Sequence, residues 1–249
     1  MEIWQIVFLA AVGVVAGWLN VMAGGGSLLT IPIMLFMGIP GPVANGTNRI
    51  AILAQNISAV TAFKRQGYAD FKLGLSLSAA AAVGAVGGAS LGLNLQGEWF
   101  DRMVALVMVG VMILMWRPAT TRCKTAIHHR NRRTCCGAIV LMVGAGFWGG
   151  FIQIGVGFIL MPILHRVIGL DLVRVNMYKV FIVLIYTVIA LAIFASQLEL
   201  LWWTGIGLAV GNSIGGWLGA HTTVSHGETL IRHVLYVALS AFIVKLLFF

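Results

Sequence analysis

Polar and apolar positions along this chain fall into long apolar blocks separated by brief polar or glycine-rich interruptions. The blocks run over about 3–22, 27–39, 47–64, 70–95, 100–116, 135–151, 156–169, 173–195, 200–221 and 230–248. A helix needs about 20 residues to cross the hydrocarbon of a bilayer, and most blocks approach that length. Blocks 27–39 and 156–169 are too short for a comfortable crossing, and each follows a glycine-rich break. The breaks read "NVMAGGGSLLTIP" at 20–32 and "GGFIQIGVGFILMP" at 149–162. Glycine costs about 1 kcal/mol against alanine in a helix interior, so three in succession predict an interrupted helix. The pattern predicts an all-α integral membrane protein, a helical bundle with broken or re-entrant helices. Blocks 3–22 and 27–39 can form either two crossings or one re-entrant hairpin.

Composition agrees with this pattern. The 249 residues are 60% hydrophobic and 9% charged, against roughly 25% charged in a soluble domain, and the mean hydropathy is +0.98. Glu2 stands where a removable signal would carry a basic region, which argues against one. The net charge of +9 forms no stripe on a soluble domain, so nucleic acid is not the expected partner. Much of it lies in "RPATTRCKTAIHHRNRRT", 117–134, which reads as a cytoplasmic loop. Cys123, Cys135 and Cys136 lie in or beside this run, which suits a reducing face. With His128 and His129 they match no standard metal-ligand spacing. No metal and no cofactor is expected. The chain divides into a first membrane repeat (1–116), the basic loop (117–134) and a second membrane repeat (135–249).

A shift of 131 places Gly38 on Gly169, Asn45 on Asn176, Gln66 on Gln197, and Gly74, Gly84 and Gly88 on Gly205, Gly215 and Gly219. A shift of 130 places Gly25 on Gly155 and Pro32 on Pro162. Basic residues give the sense of the repeat. With 117–134 inside, the loop at Lys64, Arg65 and Lys72 is inside, while its partner near Gln197–Glu199 lacks Lys and Arg and reads as outside. The uncharged Pro40–Gly46 loop reads as outside, and its partner, with Arg166 and Arg174, as inside. The repeat is therefore expected to be inverted, with both termini periplasmic or extracellular.

The stretches "GWLNVMAGGGSLLTIPIML" and "ANGTNRIAILAQNISAVTAFKRQGYADFKLG", with "GGFIQIGVGFILMPIL" and "VNMYKVFIVLIYTVIALAIF" in the second half, resemble the TauE/SafE sulfite exporter family. The resemblance covers most of the chain outside the central basic loop. It implies a duplicated helical bundle in a bacterial inner (plasma) membrane that moves small sulfur-containing or organic anions: sulfite, sulfonates such as sulfoacetate, or related carboxylates. The chain departs from a symmetric pattern in having "GVG" in the second break against "GGGS" in the first.

Broken helices at membrane depth expose backbone N–H groups, tolerated only where protein or a watery cavity satisfies them. Their N-termini carry partial positive charge and suit an oxyanion. Candidate substrate contacts at the breaks are Asn20, Gly24, Gly25, Gly26 and Ser27 in the first, and Gln153, Gly155 and Gly157 in the second. The glycines also suit close helix packing. "NGTNR" and "NMYK" open two long helices and add Asn45, Thr47, Asn48, Arg49, Asn176, Tyr178 and Lys179. Arginine can grip an oxyanion through its fork and lysine can act as a point charge. Either can instead snorkel to headgroups. Of the adjacent Gln55 and Asn56, at most one is expected to face a cavity. Trp18 and Trp148 flank the breaks, as cavity wall or as packing.

All seven carboxylates fall in loops or at block ends, so no mid-membrane proton relay is expected. No HExxH, Walker A or nucleophile-elbow motif occurs, and the chain reads as a non-enzyme. A scaffold leaves the breaks unexplained, and a lipid-acting membrane enzyme would need paired acid–base residues at depth, where the sequence places none. Exporting one negative charge from a negative interior releases about 2.3 kcal/mol per 100 mV, enough for a facilitator of small anions. The alternative is an ion-coupled importer of sulfonates or carboxylates. The expected partners are a small anion and membrane lipid, and a homodimer is compatible with the sequence.

Overall fold

The computed structural model describes residues 3–68, 71–94, 97–116 and 132–226. Most of the basic run, with Cys123, His128 and His129, and the last apolar block at 230–248 lie outside these residues. Among the described residues the chain is all-helical, without strands. The helices are α1 (Ile3–Ala23), α2 (Ser27–Phe36), α3 (Gly41–Arg65), α4 (Phe71–Gly92), α5 (Glu98–Trp116), α6 (Arg132–Phe151), α7 (Val156–Pro162), α8 (Leu172–Gln197) and α9 (Trp202–His226). A π-helical turn, Ile163–Val167, prolongs α7 beyond Pro162. Trp4–Ala23, Lys72–Gly92 and Leu172–Gln197 are long and apolar enough to cross a membrane. At 10 residues, α2 rises only about 15 Å, half of a hydrocarbon core.

Both breaks expected from the glycines are present. One boundary differs: α3 begins at Gly41, inside the stretch expected to be a loop. Pro40 and Pro42 supply the start, because proline fits the first helical turn, where its missing N–H costs nothing. Arg49 therefore sits about two turns into α3, and Lys179 about two turns into α8. Helix-end charge fades within the first turn, so neither cation is opposed by the N-terminus of its own helix.

Small residues set the packing. α1 runs alongside α9 in the same direction: a Cβ on Gly211 would strike the Ala10 carbonyl, one on Gly215 that of Val14, and Gly219 lies on Trp18. α4 runs alongside α6 in the same manner, with Gly84 on the Val143 carbonyl, Gly88 on Phe147 and Gly92 on Phe151. α3 also follows the direction of α9, since Leu201 N–H donates to Thr47 Oγ1 (3.2 Å) and Ser58 Oγ to the Ser213 carbonyl (2.8 Å). α3 and α8 run oppositely: Arg49, early in α3, lies 4.6 Å over the ring of Phe194, late in α8.

The surface is apolar and the interior partly polar. Val7, Phe8, Leu75, Val83, Val140, Val188 and Val210 point outward, while Asn45, Asn48, Arg49, Gln55, Asn56, Asn176 and Lys179 are buried. Water would reverse this distribution, whereas lipid selects it, with polar groups facing the bundle interior.

Candidate functional site

The two breaks meet at the centre of the bundle. After α1 the chain turns at Gly24, whose φ is 80°. After α6 it turns at Gln153 (φ 63°) and Gly155 (φ 70°). Gly24 and Gly157 press backbone against backbone, so that a Cβ on either would overlap the Cα of the other. Beside this contact lies a small cavity lined by Asn20, Gly24, Asn56, Gln153, Gly157 and Lys179, and walled by Val156, Val180 and Val183. It has room for about one water molecule.

Two buried cations hold the broken helices. Lys179 Nζ, with its residue 2% exposed, donates to the Val21 carbonyl in the last turn of α1 (2.6 Å) and to Asn176 Oδ1 (2.7 Å). Arg49, fully buried, donates through Nη1 to the Gly149 carbonyl (3.1 Å) and to Gln153 Oε1 (3.0 Å), and through Nη2 to the Gly150 carbonyl. Each cation thus sits at the C-terminal end of a broken helix in the other half of the chain. That end is the negative pole of the helix, where a cation is favourable. No buried carboxylate accompanies them among the residues whose side chains are described. Asp171 and Glu199 are exposed.

Other sequence-predicted residues serve as struts. Asn45 Nδ2 donates to the Phe151 carbonyl at the end of α6 (2.8 Å). Asn48 Nδ2 donates to Ser27 Oγ (3.3 Å), and its Oδ1 accepts from Thr30 Oγ1 (2.7 Å), tying α2 to α3. Thr47 holds the start of α9. Gly26 N–H donates to Asn20 Oδ1 (3.4 Å), and a Cβ on Gly26 would overlap the Ala16 carbonyl. Gly25 is buried within the first break, and Tyr178 is buried against Gly74. Asn176 engages Lys179.

The structure therefore brings Asn20, Gly24, Gln153, Gly157 and Lys179 together around the cavity. Arg49 is directed to α6 instead, because three acceptors at a helix C-terminus converge on its fork. Trp18 Nε1 donates to Thr222 Oγ1 (3.1 Å) and Trp148 Nε1 to the Ile154 carbonyl (3.0 Å). Neither tryptophan lines the cavity. Asn56 joins these residues at the cavity: it is 1% exposed and lines it, and its Nδ2 has no partner among the described residues. The adjacent amides Gln55 and Asn56 were the available signal, but the pattern alone gave no means of choosing between them.

A family model described as "Sulfite exporter TauE/SafE" matches residues 9–246. The chain is similar to "Probable membrane transporter protein ORF9" of Sinorhizobium sp, 25% identical over 242 residues, 97% of this chain and 92% of that protein. It is similar to "Probable membrane transporter protein YfcA" of Escherichia coli K12, 25% identical over 244 residues, 95% of this chain and 87% of that protein. A "Probable membrane transporter protein" of Xylella fastidiosa 9a5c is 27% identical over 241 residues, 92% of this chain and 88% of that protein. No solved structure matches the chain.

Proposed function

The chain belongs to the TauE/SafE sulfite exporter family, and on that premise we propose that it is a secondary transporter or facilitator of small sulfur-containing anions, sulfite, sulfoacetate or related sulfonates. Export across the inner membrane is the direction of this reading. The observation that carries it is the pair of buried cations, Arg49 and Lys179, with no buried carboxylate among the described side chains. A bundle interior with that balance attracts an anion and repels a cation. Of the two, Lys179 reaches the cavity. A lysine ammonium has three N–H donors, and two of those on Lys179 are engaged by protein.

The repeat belongs to the same proposal. Equivalent helices α3 and α8 run oppositely, and the α1–α9 pairing is echoed by α6–α4, with Gly215 and Gly219 standing 131 residues from Gly84 and Gly88. Both facts support an inverted repeat, with α2 and α7 as the short limbs of re-entrant hairpins whose tips meet at Gly24 and Gly157. Alternating access then consists of parting the halves on one side of that contact at a time.

Purified protein in liposomes, given an inside-positive potential, is expected to take up labelled sulfoacetate or sulfite faster than protein-free liposomes. No anion flux above that background overturns the proposal. Uptake that requires a sodium gradient converts it to the import reading.

A further inference from the structure

Four polar groups form a one-way chain from the first break into the cavity. Gly26 N–H donates to Asn20 Oδ1 (3.4 Å), Asn20 Nδ2 donates to Gln55 Oε1 (3.1 Å), and Gln55 Nε2 donates to Asn56 Oδ1 (3.5 Å). Asn56 Nδ2 is then left without a partner, buried at the cavity. A side-chain amide can turn over and exchange its oxygen for its nitrogen. Here the first member is a backbone N–H, which can only donate. It fixes Asn20 as acceptor towards Gly26, and each following amide inherits its orientation. The last amide must show N–H, not C=O, to whatever enters.

Three acceptors near the cavity are already engaged. The Val21 carbonyl and Asn176 Oδ1 accept from Lys179, and Gln153 Oε1 accepts from Arg49. An incoming oxyanion therefore meets an oriented amide donor on one side and an ammonium on the other. An oxygen that only accepts is satisfied there. A hydroxyl on the same anion meets N–H against O–H, with no unengaged acceptor among these groups, and a buried donor left unpaired is costly.

We propose that Asn56 is a specificity-determining donor, oriented by Gln55 and Asn20, that makes the site select anions whose oxygens all accept, such as sulfonates, over isosteric anions that carry a hydroxyl. This rests on the anion-transport reading above. Gln55 and Asn20 are positioning residues in it, and they tie the cavity donor to the backbone of the break itself.

Ethanesulfonate and ethylphosphonate form a matched pair at mildly acidic pH, where both are monoanions and only the phosphonate carries a hydroxyl. Wild-type protein in liposomes is expected to move the sulfonate about tenfold faster or more. Asn56→Leu, which removes the donor at similar volume, should lower sulfonate flux and bring the ratio close to one. Gln55→Met removes the donor that fixes Asn56 Oδ1, frees the Asn56 amide to turn, and should also collapse the ratio. A wild-type ratio near one overturns the proposal even if no variant assembles, and so does a wild-type preference that survives both substitutions. Neither of those results touches the transport reading. Absence of all anion flux in wild type removes that reading, and this proposal with it.

Discussion

Replacing Lys179 by methionine separates the two tasks this residue performs. The aliphatic stem is kept and the ammonium is lost. Two of its donors hold protein, at 2.6 Å to the Val21 carbonyl and 2.7 Å to Asn176 Oδ1; the third is the one available to an anion. A charge-assisted hydrogen bond contributes about 1.5–3 kcal/mol, so sulfoacetate affinity should fall by roughly ten- to hundredfold. The same change strands two buried acceptors, each costing about 1–3 kcal/mol, so the thermal midpoint in detergent should fall as well. Titration calorimetry and a melting curve on the same preparations read the two effects independently. A lowered midpoint with unchanged sulfoacetate affinity would mean that Lys179 only caps α1, and would remove it from the site.

Arg49→Lys should keep the charge but reach fewer of the three acceptors now served by the guanidinium fork; a stability loss of about 1–3 kcal/mol is expected, and an unchanged melting midpoint would refute the bracing role. Gly157→Ala places a methyl on the Cα of Gly24, so transport should fall sharply at normal expression; full activity would show that the breaks are not held in contact. In a variant freed of Cys123, Cys135 and Cys136, single cysteines at Pro40 and Gln197 should react with an impermeant maleimide from one side, and those at Arg166 and Gly67 from the other. Labelling of Pro40→Cys and Arg166→Cys from the same side contradicts an inverted repeat.

The sequence disclosed the breaks because glycine clusters are costly inside helices, and it disclosed the class because apolar blocks of spanning length have few other uses. The start of α3 was hidden. Pro40–Gly46 carries every ordinary mark of a loop, and only the tolerance of a first turn for proline makes it helical. The destination of Arg49 was hidden for a different reason. Its partners are backbone carbonyls at Gly149 and Gly150, and carbonyls have no side-chain signature to read. Gln153 shows the same limit. A left-handed φ of 63° would suit glycine, but only a longer side chain can offer Arg49 an acceptor at 3.0 Å. The strain, of order 1–2 kcal/mol, is offset by that bond, and a single sequence reveals neither.

On the anion-transport reading, the convergence of four helix ends gives the candidate site its sign. The C-termini of α1 and α6 come to the breaks, and the N-termini of α2 and α7 leave from them. Negative and positive poles would nearly cancel if nothing else were present. Lys179 sits on the end of α1, and Arg49 on the end of α6, so the two negative poles are neutralised. The poles left unopposed are the positive ones, joined by the Asn56 amide donor at the cavity. Each cation comes from the half opposite to the helix it caps, so the charges that favour an anion also join the halves. Parting the halves on either side must loosen one of these caps. Among the described residues, Arg49 is held by three acceptors and by the ring of Phe194, whereas Lys179 is hydrogen-bonded to the other half through the Val21 carbonyl alone. On the transport reading, Lys179 is the cap that can exchange its helix carbonyl for an anion oxygen, while Arg49 keeps the second break intact.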